Sequence, residues 1–324
     1  MKNLKEKLNN LSVLVFGDMY LDRDCIGDFE GKSKEDENMP ILKVHTEKYQ
    51  PGGAGNLASC FAALGVKTTV VGLWGEKDDI NRQILEQCFK NRGIDTSYMV
   101  ESGKTPVFGK FYTQDGNHIF RYDVIYENMN DRVEKLLIES INPISHNKFN
   151  FVACADYNNS GIRDMVCENI LKSILRMKIS KFATGRKNID KFKGFNCLLL
   201  NEEEFLRQAF LDNDIRIQFS LRQYEDDFLI NKFGVNSLVV TSENGAIGID
   251  VNTNQFESKS KKLKGNIDTC GCGDMFYAMY SSCIMAHYGM KESLDLANLT
   301  AGMVAKKLFG AAQISIDELI NNSQ

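Results

Sequence analysis

No stretch of the 324 residues approaches the roughly 18 consecutive apolar side chains that a helix needs to cross a bilayer. The opening, Met1 to Leu11, is a polar segment of Lys, Asn and Leu without the apolar core of an export signal. A non-exported, cytoplasmic protein is the expectation. Only four prolines are present, so there is no Pro-rich linker, and no repeat or low-complexity tract divides the chain. Neither sign of charge dominates: 39 basic and 43 acidic side chains give a formal net charge of −4, which excludes a polycation gripping nucleic acid by charge alone. The four histidines (His45, His118, His146 and His287) are scattered and lie away from the glycine motifs described below. A disulfide framework is missing too. The nine cysteines are an odd number and sit among apolar neighbours, as in Ala153-Cys154-Ala155, which suits reduced core thiols. Cys270 and Cys272 form a lone C-x-C with no second pair and no nearby histidine to complete a zinc site.

What remains is ordinary globular composition, 43% hydrophobic and 25% charged, enough for a sizeable core. Short β-branched runs at Val13-Leu14-Val15-Phe16, Thr69 to Gly72, Phe151 to Ala153, Cys197 to Leu200 and Leu238 to Thr241 have no polar face. Such runs mark parallel strands buried on both sides. Helical patterns lie between or after them at Asn56 to Leu64, Ile80 to Asn91, Arg163 to Met177, Glu202 to Phe210, Gly273 to His287 and Glu292 to Phe309. The alternation predicts a doubly wound α/β sandwich. Two segments break it: Asp24 to Tyr49 has no helical period, and Val107 to Asp123 reads as two strands around the turn Gln114-Asp115-Gly116-Asn117. Both fit one small β layer standing off the main sheet, within a single domain spanning residues 1–324. Trp74, just after a strand, is read as packing, and the stretch Arg207 to Lys232 as a surface helical pair.

Two glycine-rich turns carry the chemistry. Asp268-Thr269-Cys270-Gly271-Cys272-Gly273-Asp274 runs directly into the apolar pattern Met275-Phe276-Tyr277-Ala278. Glycines before a helix let backbone N–H groups converge on an anion, and the helix dipole adds positive potential there. Asp274, in the first turn, either caps that helix or takes a proton from a hydroxyl attacking a bound phosphate. Pro51-Gly52-Gly53-Ala54-Gly55-Asn56 opens a second helix, where Asn56 offers a donor and an acceptor to vicinal hydroxyls; by itself it is equally a plain helix start.

Taken together, the early GG turn with Asn and the late D-T-x-G-x-G-D segment resemble the two signatures of the ribokinase (PfkB-type) carbohydrate kinase family, over most of the chain from Val13 to about Ile316. Within that family the opening Gly17-Asp18-Met19-Tyr20-Leu21-Asp22-Arg23 is similar to the start of bacterial heptose-7-phosphate kinase domains, as are Arg121-Tyr122-Asp123 and Asp156-Tyr157. The resemblance implies a ribokinase-like three-layer α/β/α sandwich with a small β-sheet lid formed by segments near 24–49 and 107–123. It implies Asp274 as general base, with the N–H groups of Gly271, Cys272 and Gly273 stabilising the transferring phosphoryl group. Asp18, Asp22, Arg23, Gly52, Gly53, Asn56 and Arg121 are implied at the sugar. Asn201 and Glu204 of Asn201-Glu202-Glu203-Glu204 match the family's N-x-x-E motif, with Glu204 acting on Mg²⁺ indirectly through phosphate; otherwise these residues are a solvated acidic helix start. Thr241, Gly245, Ile267, Asn298 and Gly302 are implied around the nucleotide.

The implied cofactors are ATP and Mg²⁺, with a monovalent cation left open. The implied partners are a sugar or sugar phosphate and a second copy of the chain, joined through the lid into a homodimer; no nucleic acid or membrane is implied. A heptose 7-phosphate attacked through its anomeric hydroxyl is the favoured acceptor, with ribose, fructose, a nucleoside or a non-catalytic sugar-binding role as alternatives. Relatives of this kind are often fused to an adenylyltransferase, and a chain ending at Gln324 is expected to rely on a separate enzyme for that step. Two departures stand out. Thr184-Gly185-Arg186-Lys187 lacks an acid that many relatives carry there, leaving Arg186 or Lys187 to reach the phosphates, and Asp156-Tyr157-Asn158-Asn159 lacks a nearby lysine. Lys110, in the hairpin, offers a further cation for a substrate phosphate, against a solvated flap lysine as the plainer reading.

Overall fold

A computed structural model describes residues 2–322 except 37, 127–128, 145–147, 158–164, 210–225, 253, 262, 264, 266 and 308–309. In chain order, helix α1 (Lys2–Asn9) precedes strand β1 (Ser12–Gly17), the long strands β2 (Met19–Lys32) and β3 (Pro40–Gly53), and helix α2 (Ala54–Ala63). Next come β4 (Lys67–Val71), β5 (Leu73–Trp74), α3 (Ile80–Asn91), β6 (Val100–Glu101), β7 (Val107–Tyr112) and β8 (His118–Val124). They are followed by α4 (Asp131–Ile141), β9 (Phe151–Asp156), α5 (Glu168–Leu175), β10 (Ser180–Gly185), a 3-10 turn at Ile189–Phe192, β11 (Cys197–Asn201) and α6 (Glu202–Ala209). Last are α7 (Asp226–Phe233), β12 (Ser237–Ser242), β13 (Gly245–Asp250), β14 (Gln255–Lys259), α8 (Cys272–Met285), α9 (Met290–Val304) and α10 (Ile316–Asn322).

The five apolar runs are strands of one sheet ordered β14-β13-β12-β11-β10-β9-β1-β4, parallel from β12 to β4 and antiparallel at β13 and β14. Successive side chains of a strand point to opposite faces, so each run feeds two cores. Val13 and Val15 of β1 pack with Leu57 and Phe61 of α2 and Met275 and Met279 of α8. Leu14 and Phe16 join Leu137 of α4 and Ile170 and Ile174 of α5 on the other face. A sheet clothed by helices on both sides is the three-layer sandwich expected.

Strand β10 interrupts its apolar run with Lys181, whose buried ammonium donates to the carbonyls of Met177 at 2.6 Å and Ile179 at 2.8 Å. Those bonds let a lysine sit inside a covered strand. The antiparallel strands β13 and β14 and helices α1, α4 and α10 add to the elements read from sequence. The helical pair expected over Arg207 to Lys232 lies mostly outside the described residues, which there include the end of α6 and α7 up to Lys232.

A second sheet, ordered β3-β2-β7-β8, stands off the first. Strand β2 pairs antiparallel with β3 and parallel with β7, and β7 returns through Thr113–Asn117 into β8. The first half of β2 is buried and its second half is exposed. On the buried half, Asp24 accepts a hydrogen bond from Gln50 Nε2 at 3.0 Å across the β2/β3 ladder. Burial pushes its carboxyl up to about 6, against the pull of Lys110. A carboxyl that holds its proton more firmly folded than unfolded contributes stability fully below about pH 4, and that contribution fades as pH rises through about 6. Asp24→Asn, which keeps an acceptor for Gln50, should match the wild type in urea unfolding near pH 4 and exceed it by about 1–3 kcal/mol near pH 7.5. A difference independent of pH would contradict this account.

Candidate active site

The C-terminal ends of the parallel strands share one edge of the sheet, the edge at which open α/β sheets gather ligands. There β1 leads to Asp18, β9 to Asp156 and Tyr157, β10 to Arg186, β11 to Asn201 and β12 to Thr241. Helix α2 meets this edge through Gly53, whose φ of +60° belongs to the left-handed region. A Cβ there would lie 2.3 Å from the Asp18 carbonyl oxygen, which instead accepts the Ala54 N–H at 2.8 Å. Glycine is required by both conformation and space, and the turn it makes sets Asn56 in the first turn of α2.

The turn before α8 is held by Asp268. Its Oδ1 accepts the Cys270 N–H at 2.9 Å and its Oδ2 the Gly310 N–H at 3.2 Å. Gly271 caps α8 with φ +79°. The Cys272 N–H donates to the Thr269 carbonyl at 3.2 Å, closing the turn. That amide, implied at the phosphoryl group by the sequence, thus has a partner within the turn itself. Gly271 and Gly273 line the cavity, and a Cβ on Gly273 would meet open space.

The cavity encloses about 370 Å³ between the two sheets. Asp274 lies on its wall, with Oδ2 accepting Asn56 Nδ2 at 2.5 Å and Oδ1 accepting the Tyr157 hydroxyl. Burial pushes the Asp274 carboxyl above its usual range, while these two bonds and the Arg186 charge pull it back. From the lid, Lys110 reaches within 3.5 Å of Asp22 Oδ1 and 3.8 Å of Cys270 Sγ. Arg121 donates to both oxygens of Asp123 at 2.6 and 3.0 Å and lies 4.6 Å over the Phe108 ring. From the core, Arg186 lies 5.4 Å over the Tyr157 ring and 3.9 Å from Glu204 Oε1.

Asn201 and Glu204 form a reciprocal capping box on α6: Glu204 N–H donates to Asn201 Oδ1 at 2.7 Å, and Asn201 N–H to Glu204 Oε2 at 2.9 Å. Glu204 is a cavity acid whose burial raises its pKa, which distinguishes it from a solvated helix start.

Of the residues named from sequence, Asp22, Gly53, Asn56, Arg121, Asn201, Glu204, Thr241, Gly271, Gly273 and Asp274 line this cavity. Asp18 is buried behind Gly53, and Gly52 leaves room for Tyr20 and Asp22. Arg23 is not in the lining; it donates to Glu47 at 2.7 Å. The other nucleotide candidates also lie off it. Gly245 opens β13, Ile267 is half exposed, Gly302 is on α9, and Asn298 ties α9 to β14 by donating to Ser258 O at 2.9 Å and Oγ at 2.8 Å.

Tyr20, Phe108 and Tyr157 line the cavity without having been assigned a role, and Lys110 is largely buried in it, against the solvated reading. Lys191, paired with the buried Asp156 beside Tyr157, carried no sequence signal. A Cβ on Gly271 would come within 2.9 Å of Ala311 Cβ in addition to straining φ. Gly271→Ala should lower stability by about 1–3 kcal/mol, read by thermal unfolding; an unchanged transition would mean that the turn relaxes freely.

Comparison with known proteins bears on the family and the fold. A family model described as pfkB family carbohydrate kinase matches residues 10–176. Among curated relatives, the bifunctional protein HldE of Campylobacter fetus is 24% identical over 322 residues, covering 96% of this chain and 66% of the relative. HldE of Sulfurimonas denitrificans is 26% identical over 315 residues, covering 95% of this chain and 63% of the relative. The chain thus spans just under two thirds of the length of these relatives. Arabidopsis thaliana ribokinase, solved with ribose and ATP, superposes with a TM-score of 0.70 at 17% identity, covering 96% of this chain and 98% of that one. Escherichia coli phosphofructokinase-2 with fructose-6-phosphate gives 0.74 at 15% identity, covering 96% and 97%. The fold is ribokinase-like, and with the family model matching half of its residues, the chain belongs to the pfkB family of carbohydrate kinases.

Proposed function

We propose that this sugar kinase acts on a phosphorylated sugar, a heptose 7-phosphate, transferring the γ-phosphoryl group of ATP to its anomeric hydroxyl. The observation that carries the reading is the presence, in one cavity, of the buried Asp274 carboxylate and three cations: Lys110 and Arg121 from the lid, and Arg186 from the core. An acceptor that already bears a phosphate needs cations at its far end, and guanidinium groups serve it well. The likeness to HldE proteins supports the choice of sugar.

In this reading Asp274 takes the proton of the acceptor hydroxyl as its oxygen bonds to the γ-phosphorus and the bond to the bridging oxygen of ADP breaks. Gly271 and Gly273 leave room for the phosphoryl oxygens at the dipole-positive start of α8. Among the described residues no cluster of three or more His, Cys, Asp or Glu side chains could hold a metal. The donor set fits a Mg²⁺ that arrives with the triphosphate, neutralising its charge, with Asn201 and Glu204 acting through the phosphates. Among the described residues no helix is long and apolar enough to cross a membrane, and a cytoplasmic location is part of the proposal.

The second reading is a neutral sugar or nucleoside. It is favoured by the pairing of each cation with a carboxylate already in place: Lys110 with Asp22, Arg121 with Asp123 and Arg186 with Glu204. ADP release from MgATP over heptose 7-phosphate, fructose 6-phosphate, fructose, ribose and adenosine separates the two. Turnover is expected with the phosphorylated heptose and should fall on the order of 10³-fold in Asp274→Asn while nucleotide binding persists. Lys110→Ala should raise KM for the phosphorylated sugar about tenfold or more and leave any neutral sugar near its wild-type value. Equal effects on both classes would favour the neutral acceptor.

The exposed Phe29, Ile41, Val44 and Phe120 lie on lid strands and fit a homodimer that covers them. Phe120→Asp is then expected to shift sedimentation toward monomer; an unshifted profile would place any interface elsewhere.

A further inference from the structure

Asp274 occupies a place that favours its protonated form: burial raises its pKa, and the charge of Asp22 adds to the effect. Two neutral side chains oppose this directly, the Tyr157 hydroxyl at Oδ1 and Asn56 Nδ2 at Oδ2, 2.5 Å away. Asn56 is itself held from behind. Gln313 Nε2 donates to Asn56 Oδ1 at 2.9 Å and to the Ala311 carbonyl at 2.9 Å. A side-chain amide has one accepting end and one donating end. Because a Gln313 donor can be met only by Asn56 Oδ1, the NH₂ end must face Asp274. The reversed amide would set oxygen against carboxylate oxygen and leave Gln313 facing another donor.

We propose that Tyr157 and Gln313 are positioning residues for Asp274. Tyr157 holds one carboxylate oxygen, Gln313 fixes the Asn56 amide that holds the other, and the base is thereby kept ionised and in one orientation before an acceptor enters. This rests on the reading of Asp274 as the base. Each carboxylate oxygen retains a lone pair beyond the bond it already accepts, so the acceptor hydroxyl can be received without dismantling the clamp. Tyr157 remains the donor throughout, since burial and the Asp274 charge raise its phenol well above the usual range. Arg186 is the charge that favours the anion, and Asp22 the charge that disfavours it. The phenols of Tyr20 and Tyr277 and the thiols of Cys60 and Cys272 nearby are held protonated by burial and carry no charge near neutral pH.

The test needs no acceptor. Protein labelled with carbon-13 at aspartate Cγ is titrated by NMR, with Asp274→Asn used only to assign the resonance, in wild type, Tyr157→Phe and Gln313→Ala. The Asp274 midpoint is expected to rise by about one pH unit in Tyr157→Phe and by a smaller step in Gln313→Ala, because donors to the charged form are lost. Gln313→Ala leaves the buried aromatic contacts intact and decides the matter alone should Tyr157→Phe fail to fold. Unmoved midpoints in the folded variants would overturn the clamp. With the sugar that proves to be turned over, the acid limb of kcat/KM should move upward by the same amount while KM for MgATP stays within about twofold. A moved carbon titration with an unmoved kinetic limb would keep the clamp and remove Asp274 as the base, so the two ideas fail separately.

Discussion

Parallel strands need both faces covered, and the arrangement of this protein follows from meeting that need. Runs such as Val13 to Phe16 and Phe151 to Ala155 bury every side chain, so they have no polar side chain to spare for chemistry along their length. Function is displaced to the strand ends, where the chain leaves the sheet and polar residues become affordable. Asp18, Asp156, Arg186 and Asn201 all lie at or just after such ends. The same constraint explains why the two glycine turns serve one cavity: each opens a helix that packs on the same face of the sheet, α2 and α8 touching through Phe61 and Tyr277.

Electrostatically, the cavity is a set of paired opposites with one exception. The Lys110, Arg121 and Arg186 cations each have a carboxylate within reach. Asp274 has no cation within ion-pair distance among the described residues and relies on uncharged donors. Burial raises the carboxyls of both Asp22, which faces the Lys110 ammonium, and Asp274, which does not.

Much of this was legible in the sequence, and the reasons for what was not are physical. Both glycine turns could be read because their backbone geometry admits few other residues, as at Gly53 and Gly271. The meeting of Asn56 with Asp274 could not be derived from spacing, because 218 residues separate them and only the strand order brings them together. Lys110 reads as solvated since strand alternation does not say which face of a two-sided lid looks inward. Tyr157 follows an aspartate already marked at a strand end, yet nothing local aims its hydroxyl. Gln313 lies in a loop without period, and its role depends on a partner from the other end of the chain. The nucleotide side was read by resemblance alone, and its outlying members, Gly245, Asn298 and Gly302, sit on the β13, β14 and α9 flank, away from the lined cavity.

The lid's first two strands are rooted side by side, and its other two join the chain separately, β7 following β6 and β8 leading to α4. Strand β2 begins at Met19, two residues past the end of β1, and β3 ends at Gly53, immediately before α2; Met19 and Gly53 face each other across the ladder. Any rocking of the lid about that root would carry Asp22, Lys110 and Arg121 as one body and leave Asn56, Tyr157 and Asp274 standing on the core. The lining of the cavity is thereby divided between two bodies of the fold, with Asp22, Lys110 and Arg121 carried by the lid sheet and Asn56, Tyr157 and Asp274 carried by the core.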